Sequence, residues 1–518
     1  MTPFTSNKFI IISILLFIAP AISIGQYFNE TDATFYPVMN CSGSWIDMDD
    51  DGDLDLLLSG ERYASPKMAK ETRLYDNIDR KENFKAIASR LTDLGYSATD
   101  VSDYDNDGDL DFIVAGEDVS GNPTTILYRN NRNNSFTRMN IPFIGVKKGS
   151  VCFGDYDRDG NPDVAICGEM ATGQLITKIY QNQKNNFRAI NAEIIGVKEG
   201  ALDWGDYDND GDLDLLICGE TNTAKATTRI YRNDGRNTFQ NISAPLSGVK
   251  LADANWGDFD HDGLLDIVLS GESNDNTIIA RVYRNLGNNN FINKHASIDG
   301  LRSGSVDWGD FDHDGDLDIL MTGEGYNNNI KSVIYRNDRE KGFVDIAADL
   351  VNVYYSDGKW GDYDNDGDLD LFIAGLTQDY KFYTKIYRND GILITREEER
   401  HRKSIWTEVN LPQDRFKESY FFLISSCFCR PDSSFITKDY HVYYSEVFKL
   451  SSPYRKSMRY YDELIMHNDN WAGIKEAHFS KGYESYEDAE RTRQQMLKSY
   501  RQEKYKLHFV QWLIGKRN

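Results

Sequence analysis

Seven stretches of this chain set aspartates at the first, third, fifth and ninth places of a nine-residue run, with glycine at the sixth. The sets are Asp47, Asp49, Asp51 and Asp55; Asp103, Asp105, Asp107 and Asp111; Asp155, Asp157, Asp159 and Asp163; Asp206, Asp208, Asp210 and Asp214. They continue with Asp258, Asp260, Asp262 and Asp266; Asp310, Asp312, Asp314 and Asp318; Asp362, Asp364, Asp366 and Asp370. Short carboxylates at alternate places around a glycine turn converge oxygen ligands on one hard cation, which is the opening of a calcium loop. The seventh place varies (Asp53, Asp109, Asn161, Asp212, Leu264, Asp316, Asp368), as suits a position that offers a metal only its backbone carbonyl. Carboxylates so crowded repel one another until a cation or protons relieve them, so metal binding and folding should be linked. The expected cofactor is Ca2+ at about seven sites; Mg2+, with its tighter octahedron, suits the loops less. The competing reading is a set of plain acidic hairpin turns. A helical calcium hand is excluded because an apolar run such as Leu215-Leu-Ile-Cys218, which reads as strand, comes directly after each loop.

The elements that must hold these loops repeat with them. First aspartates are spaced by 56, 52, 51, 52, 52 and 52 residues, a period that marks a stacked or circular repeat fold. Nineteen places before each stands a phenylalanine (Phe28, Phe84, Phe136, Phe187, Phe239, Phe291, Phe343). A Tyr-x-Asn triplet comes after each loop, beginning at Tyr75, Tyr128, Tyr180, Tyr231, Tyr283, Tyr335 and Tyr387. One unit thus reads as four strands: one into the loop, one out of it, one carrying the triplet and one at the phenylalanine. That is a propeller blade, and seven blades close a ring. The first unit begins at its fourth strand and the last ends after its third, so the Phe28 strand is expected to complete the blade ending at Asn389 and leave no open sheet edge.

Over residues 27–390 these loops and markers resemble the FG-GAP/VCBS repeats, which form seven-bladed propellers in integrin α-subunits and in many secreted bacterial proteins. The resemblance implies an all-β propeller with calcium at the aspartate sets above. A small residue, glycine and usually glutamate (Glu61, Glu117, Glu169, Glu220, Glu272, Glu324, but Leu376) stand where that family has Gly-Ala-Pro. These glutamates read as solvated turn residues, the alternative being a functional ring.

Residues 1–25 read as a secretory signal peptide, with Lys8 before an apolar core from Phe9 to Ile24, and place the mature chain outside the cytoplasm or on the cell surface, with no transmembrane span. Residues 391–410 read as a linker and 411–518 as a small α+β domain of unknown role. In it strands are expected at Tyr420–Cys429, His441–Leu450 and Leu507–Ile514, and helices at Asn470–Ser480 and Ser485–Lys504. The formal charge is −24, yet residues 396–518 carry 22 Lys/Arg against 18 Asp/Glu, so the acidity belongs to the repeats and their loops. A nucleic-acid partner is excluded on that ground, since phosphate binding needs a basic stripe. Cys167 and Cys218 occupy a slot that elsewhere holds Ser59, Ala115, Ser270, Thr322 and Ala374, so they serve there as small side chains; pairing of Cys41, Cys152, Cys427 and Cys429 is left open.

Catalysis would need unlike residues converging once, and no catalytic set is picked out. His261 and His313 share the fourth place of two neighbouring loops and read as solvent-facing. The expected function is recognition of an extracellular protein or glycan by the face opposite the loops, where connections such as 61–72, 221–227 and 376–383 differ in length and sequence. Sequons at Asn29, Asn40, Asn133 and Asn241 matter only in a host that glycosylates secreted proteins. The alternative is a carbohydrate-active enzyme, a lyase or hydrolase, built on the same loops.

Overall fold

The computed structural model describes residues 26–392 apart from Pro66, Asp79 and Asn133, and six short strands between 419 and 509. The expected signal peptide, the expected linker beyond Ile392 and the helix expected at Ser485–Lys504 lie outside the described residues.

Each repeat folds as an antiparallel four-stranded blade, and there are seven among the described residues. The fourth blade shows the pattern: Leu202–Gly205 enters the loop, Asp214–Thr221 leaves it, Ala226–Asn233 carries the triplet and Phe239–Asn241 closes the blade. The second strands are buried almost throughout, which explains their unbroken apolar sequence; Leu215, Ile217 and Cys218 are wholly inaccessible. The last blade is completed by the chain's own beginning. Gln26–Glu30 pairs with Phe382–Ile392, with Phe28 opposite Asn389 as expected.

No blade has a core of its own. Each hydrophobic cluster lies between two blades, as where Tyr156, Ala165 and Cys167 of the third meet Leu202, Leu215 and Ile217 of the fourth. The marker phenylalanines sit in these seams. Phe239 packs on Trp204 of its own blade and on Tyr156 of the preceding loop, and those two rings are stacked at 6.1 Å. The closing seam repeats this with Phe28, Trp360 and Phe311. First strands of neighbouring blades touch all the way round, so they encircle the axis.

Cys41, Cys152, Cys167 and Cys218 are free thiols, and Cys167 and Cys218 are fully buried in the seams, as their slot requires. Among the described residues no helix is long and apolar enough to cross a membrane.

In the C-terminal part Leu423–Cys427 pairs antiparallel with His441–Tyr444 and with Ala477–Phe479, and His441–Tyr444 pairs parallel with Lys506–Phe509. Ser419–Phe421 pairs with Phe448–Leu450. The helix expected over Asn470–Ser480 is therefore corrected at Ala477–Phe479, which joins a sheet. Pairing with a distant strand outweighs local helical pattern in so short a piece.

Candidate functional site: the aspartate loops and the two faces

The loop of the fourth blade shows how the aspartates are held. Gly211 has φ +89°, a left-handed turn that side chains resist, and its N–H donates to Asp206 Oδ2 at 2.8 Å. The N–H of Asp212 donates to Asp210 Oδ1 at 2.8 Å. At the third place Asp208 Oδ1, like Asp206 Oδ1, is buried without a hydrogen-bond partner. Oxygen atoms of Asp206, Asp208 and Asp210 lie within 4.8 Å of one another. The same closeness joins Asp47, Asp49 and Asp55, also Asp103, Asp105 and Asp107, and also Asp155, Asp157 and Asp163.

The ninth place plays a second part that spacing alone did not disclose. Asp214 is fully buried; its Oδ2 accepts from Tyr207 N–H at 3.2 Å and its Oδ1 from Asn233 N–H at 2.8 Å. This one carboxylate ties the start of the loop to the end of the third strand. Asp55, Asp111, Asp163, Asp266, Asp318 and Asp370 make the same pair of bonds in their blades. Burial, against these backbone bonds, pushes their carboxyls up to about 8, and to about 9 at Asp370. Burial, then the neighbouring Asp210 carboxylate, likewise raises Asp208.

These observations test whether the loops fit a cation. Buried carboxylate oxygens lack donors at Asp105, Asp157, Asp206, Asp208, Asp260 and Asp310, and the oxygen-only clusters crowd carboxylates that cationic side chains offset only in part, as where Arg284 pairs with Asp260 and Asp262. A hard divalent cation supplies what is missing, so the residues fit. The seventh-place side chains serve elsewhere: Asp53, Asp109 and Asp316 pair with Arg80, Arg132 and Arg339 from the following turn. That is why Leu264 is tolerated there.

The asparagine of each triplet is a pin between blades. Asn233 Nδ2 donates to Leu213 O in its own loop at 3.2 Å and to Tyr156 O in the preceding loop at 2.8 Å. The series closes on itself, because Asn77 of the first blade donates to Tyr363 O of the last at 2.8 Å. The triplet tyrosine anchors the incoming chain: Tyr231 OH accepts from Ile195 N–H at 3.1 Å.

His261 and His313 are exposed, as expected, yet not free in solvent. His261 Nε2 lies 3.5 Å from Asp316 and His313 Nε2 3.1 Å from Asp368, each in the next loop. Asp368 hydrogen bonding raises the His313 pKa.

The glutamates at the far end of the second strands are not solvated turns either. They form a ladder across blades. Lys198 pairs with Glu169 at 3.2 Å and Glu220 at 3.7 Å, and Lys250 with Glu220 and Glu272 at 3.5 Å each. Arg302 carries it on from Glu272 to Glu324. There it stops, since Leu376 stands where the next glutamate would be, opposite Tyr354. Tyr354 lies tilted against Tyr355 with ring centres 4.8 Å apart, and Tyr96 stands beyond with Lys148 over its ring at 5.1 Å. Tyr355 is 41% exposed and Tyr380 75%.

Around the axis stand Asp100, Asp203, Asp253, Asp307, Asp357 and Lys359. Each carboxylate clasps the next blade by accepting a backbone N–H: Asp203 from Trp256 at 2.8 Å, Asp253 from Val306 at 3.0 Å, Asp357 from Gly43 at 2.9 Å. Attraction to Asp307 first, then Asp357, raises the Lys359 pKa.

The family model of the FG-GAP-like repeat matches residues 103–166, 206–269 and 258–321, and the seven blades carry the same loop throughout. The chain is an FG-GAP repeat propeller. No curated protein matches its sequence. Among solved structures the FG-GAP propeller is similar to the BP39L lectin from Burkholderia pseudomallei, at TM-score 0.46 and 9% identity over 69% of this chain and 98% of that one. It is also similar to a mutant Aleuria aurantia lectin in complex with α-methyl-L-fucoside, at TM-score 0.35 and 11% identity over 61% and 96%. A third likeness is to the GH43_1 enzyme from Xanthomonas citri complexed with xylose, at TM-score 0.30 and 9% identity over 52% and 93%.

Proposed function

We propose that this FG-GAP propeller is a secreted or surface-borne, calcium-stabilised recognition module, non-catalytic, that binds glycan or protein on the face opposite its aspartate loops. The observation that carries this reading is the break in sevenfold repetition. The loop face is built alike in every blade, whereas the opposite face interrupts its ion-pair ladder at Leu376 and Tyr354 and presents Tyr355, Tyr96 and Tyr380 there. Tyrosine offers a flat apolar ring to the C–H face of a sugar, or to a partner side chain, and a hydroxyl to its polar edge. Asn40, bonded to Glu61 at 2.8 Å, and Lys148 supply polar neighbours.

Calcium would be held by the carboxylates of the first, third, fifth and ninth places and the seventh-place carbonyl, and would neutralise the charge they crowd together. External calcium suits such sites, since extracellular modules bind at about 0.1–1 mM. The enzyme reading gains nothing from the axis, where the carboxylates are occupied as clasps between blades.

The test is a glycan array probed in calcium with the full chain after residue 25, set beside Tyr355→Ala and Tyr96→Ala. Binding lost at least tenfold in both variants, with melting unchanged, is the expected result. Equal binding by wild type and variants, or turnover of a bound glycan, overturns it.

A further inference from the structure

We propose that calcium loading is cooperative around the ring, each loop preparing the one before it through that loop's fourth-place side chain; this rests on the reading that the loops hold calcium. The fourth place lies between two ligand positions and is left-handed in every loop, with φ of 58° at Asp50 and Asn106, 57° at Arg158 and His313, and 56° at Asn209, His261 and Asn365. That conformation turns the residue away from its own carboxylates. In six of the seven loops its side chain reaches the following loop.

Asn106 Nδ2 donates to Gly160 O at 2.8 Å, and Asn209 Nδ2 to Gly263 O at 2.7 Å. Asn365 Nδ2 donates to Gly52 O, carrying the series from the last loop to the first. Arg158 Nη2 donates to Asp210 O at 2.8 Å and pairs with Asp212. His261 and His313 reach Asp316 and Asp368. All these acceptors lie at the fifth to seventh places, where the loop must turn for its seventh carbonyl to face a metal.

The coupling arises from geometry. A loop folded around calcium fixes its Gly carbonyl or seventh-place carboxylate as an acceptor. The preceding loop's fourth residue is then held, and with it the third and fifth aspartates on either side, so less ordering remains for that loop to bind. Each link is a hydrogen bond or an ion pair, and a link with the ordinary net strength of one hydrogen bond shifts the neighbour's affinity about fivefold. The series is open at one point: Asp50, a carboxylate, has no proton to donate to Gly108 O. Seven sites in an open chain with nearest-neighbour coupling of that size give a Hill coefficient of about 2.

The experiment is a calcium titration of the chelator-stripped chain after residue 25, monitored by calorimetry and by native mass spectrometry of the number of ions bound. The triple variant Asn106→Gly, Asn209→Gly and His313→Gly keeps the left-handed backbone and severs three links; Asp50→Asn adds the missing one. The expected result is a Hill coefficient near ~2 in wild type, below ~1.5 in the triple variant and raised in Asp50→Asn, with ion-count distributions narrowing towards independent filling in the triple. Calcium bound with a Hill coefficient of one in wild type overturns the coupling and leaves the calcium reading intact. No calcium bound overturns both.

Discussion

The two faces of this propeller are built from the same strands and held together by different physics. On the loop face the ties at the base of each loop are buried bonds to backbone: Asp214 gathers two N–H groups and Asn233 two carbonyls, both residues almost wholly inaccessible. On the opposite face the ties are ion pairs between side chains, as between Lys250, partly open to water, and the buried Glu272 at 3.5 Å. Buried polar groups are costly to leave unpaired, so the ninth-place aspartate and the triplet asparagine are the same in every blade. Ion pairs partly open to water contribute less, so the other face can lose one at Leu376 and place tyrosines there. Constancy on one side and freedom on the other have the same origin.

The largest expected effect is removal of calcium. If each loop were loaded about tenfold above its dissociation constant, it would contribute about 1.4 kcal/mol, or on the order of 10 kcal/mol over seven loops, comparable with the whole net stability of a domain. Chelation should therefore lower the melting temperature steeply, and calorimetry with and without chelator measures it. The pH dependence sharpens the point. Burial raises the ninth-place carboxyls from 3.8 to about 8, so without calcium the folded chain binds more protons than the unfolded one. That stabilisation is complete below pH ~3.8 and is lost as pH rises through about 8. The chelated protein should thus melt progressively lower across that window, while the calcium-induced gain grows, because the ion needs ionised ligands. A chelated protein that grows more stable towards pH 8 would contradict it.

Next in size comes Asn233→Ala, which strips two side-chain donors and leaves Tyr156 O buried without its partner. It should cost about 2–3 kcal/mol in calcium, read from denaturant midpoints. Lys250→Met, on the other face, removes an ion-pair partner from Glu220 and Glu272 and should cost about 1 kcal/mol or less. Equal losses from the two substitutions would abolish the distinction between the faces.

Much of this was legible before folding. The loop, the period, four strands per unit and closure through Phe28 all come from local chemistry written seven times, and Phe28 does stand opposite Asn389. The triplet asparagine was visible as a marker and silent as to its use, since its partner Tyr156 O lies 77 residues away. The histidines at the fourth place and the glutamates after the second strand read as solvated for the same reason: their partners belong to other blades. The stretch around Ala477–Phe479 read as helix because its strand partner, Leu423–Cys427, is far off in sequence.

What the sequence determined by itself is whatever one blade needs: a strand pattern, a turn glycine, a set of carboxylates. What only the tertiary structure decided is everything that passes from one blade to the next, namely the asparagine pins, the axial aspartate clasps, the fourth-place links and the tyrosine break at Leu376. The physical reason is that a single blade can bury neither of its faces. Its neighbours supply the core and the hydrogen-bond partners, and their positions are set by closure of the ring.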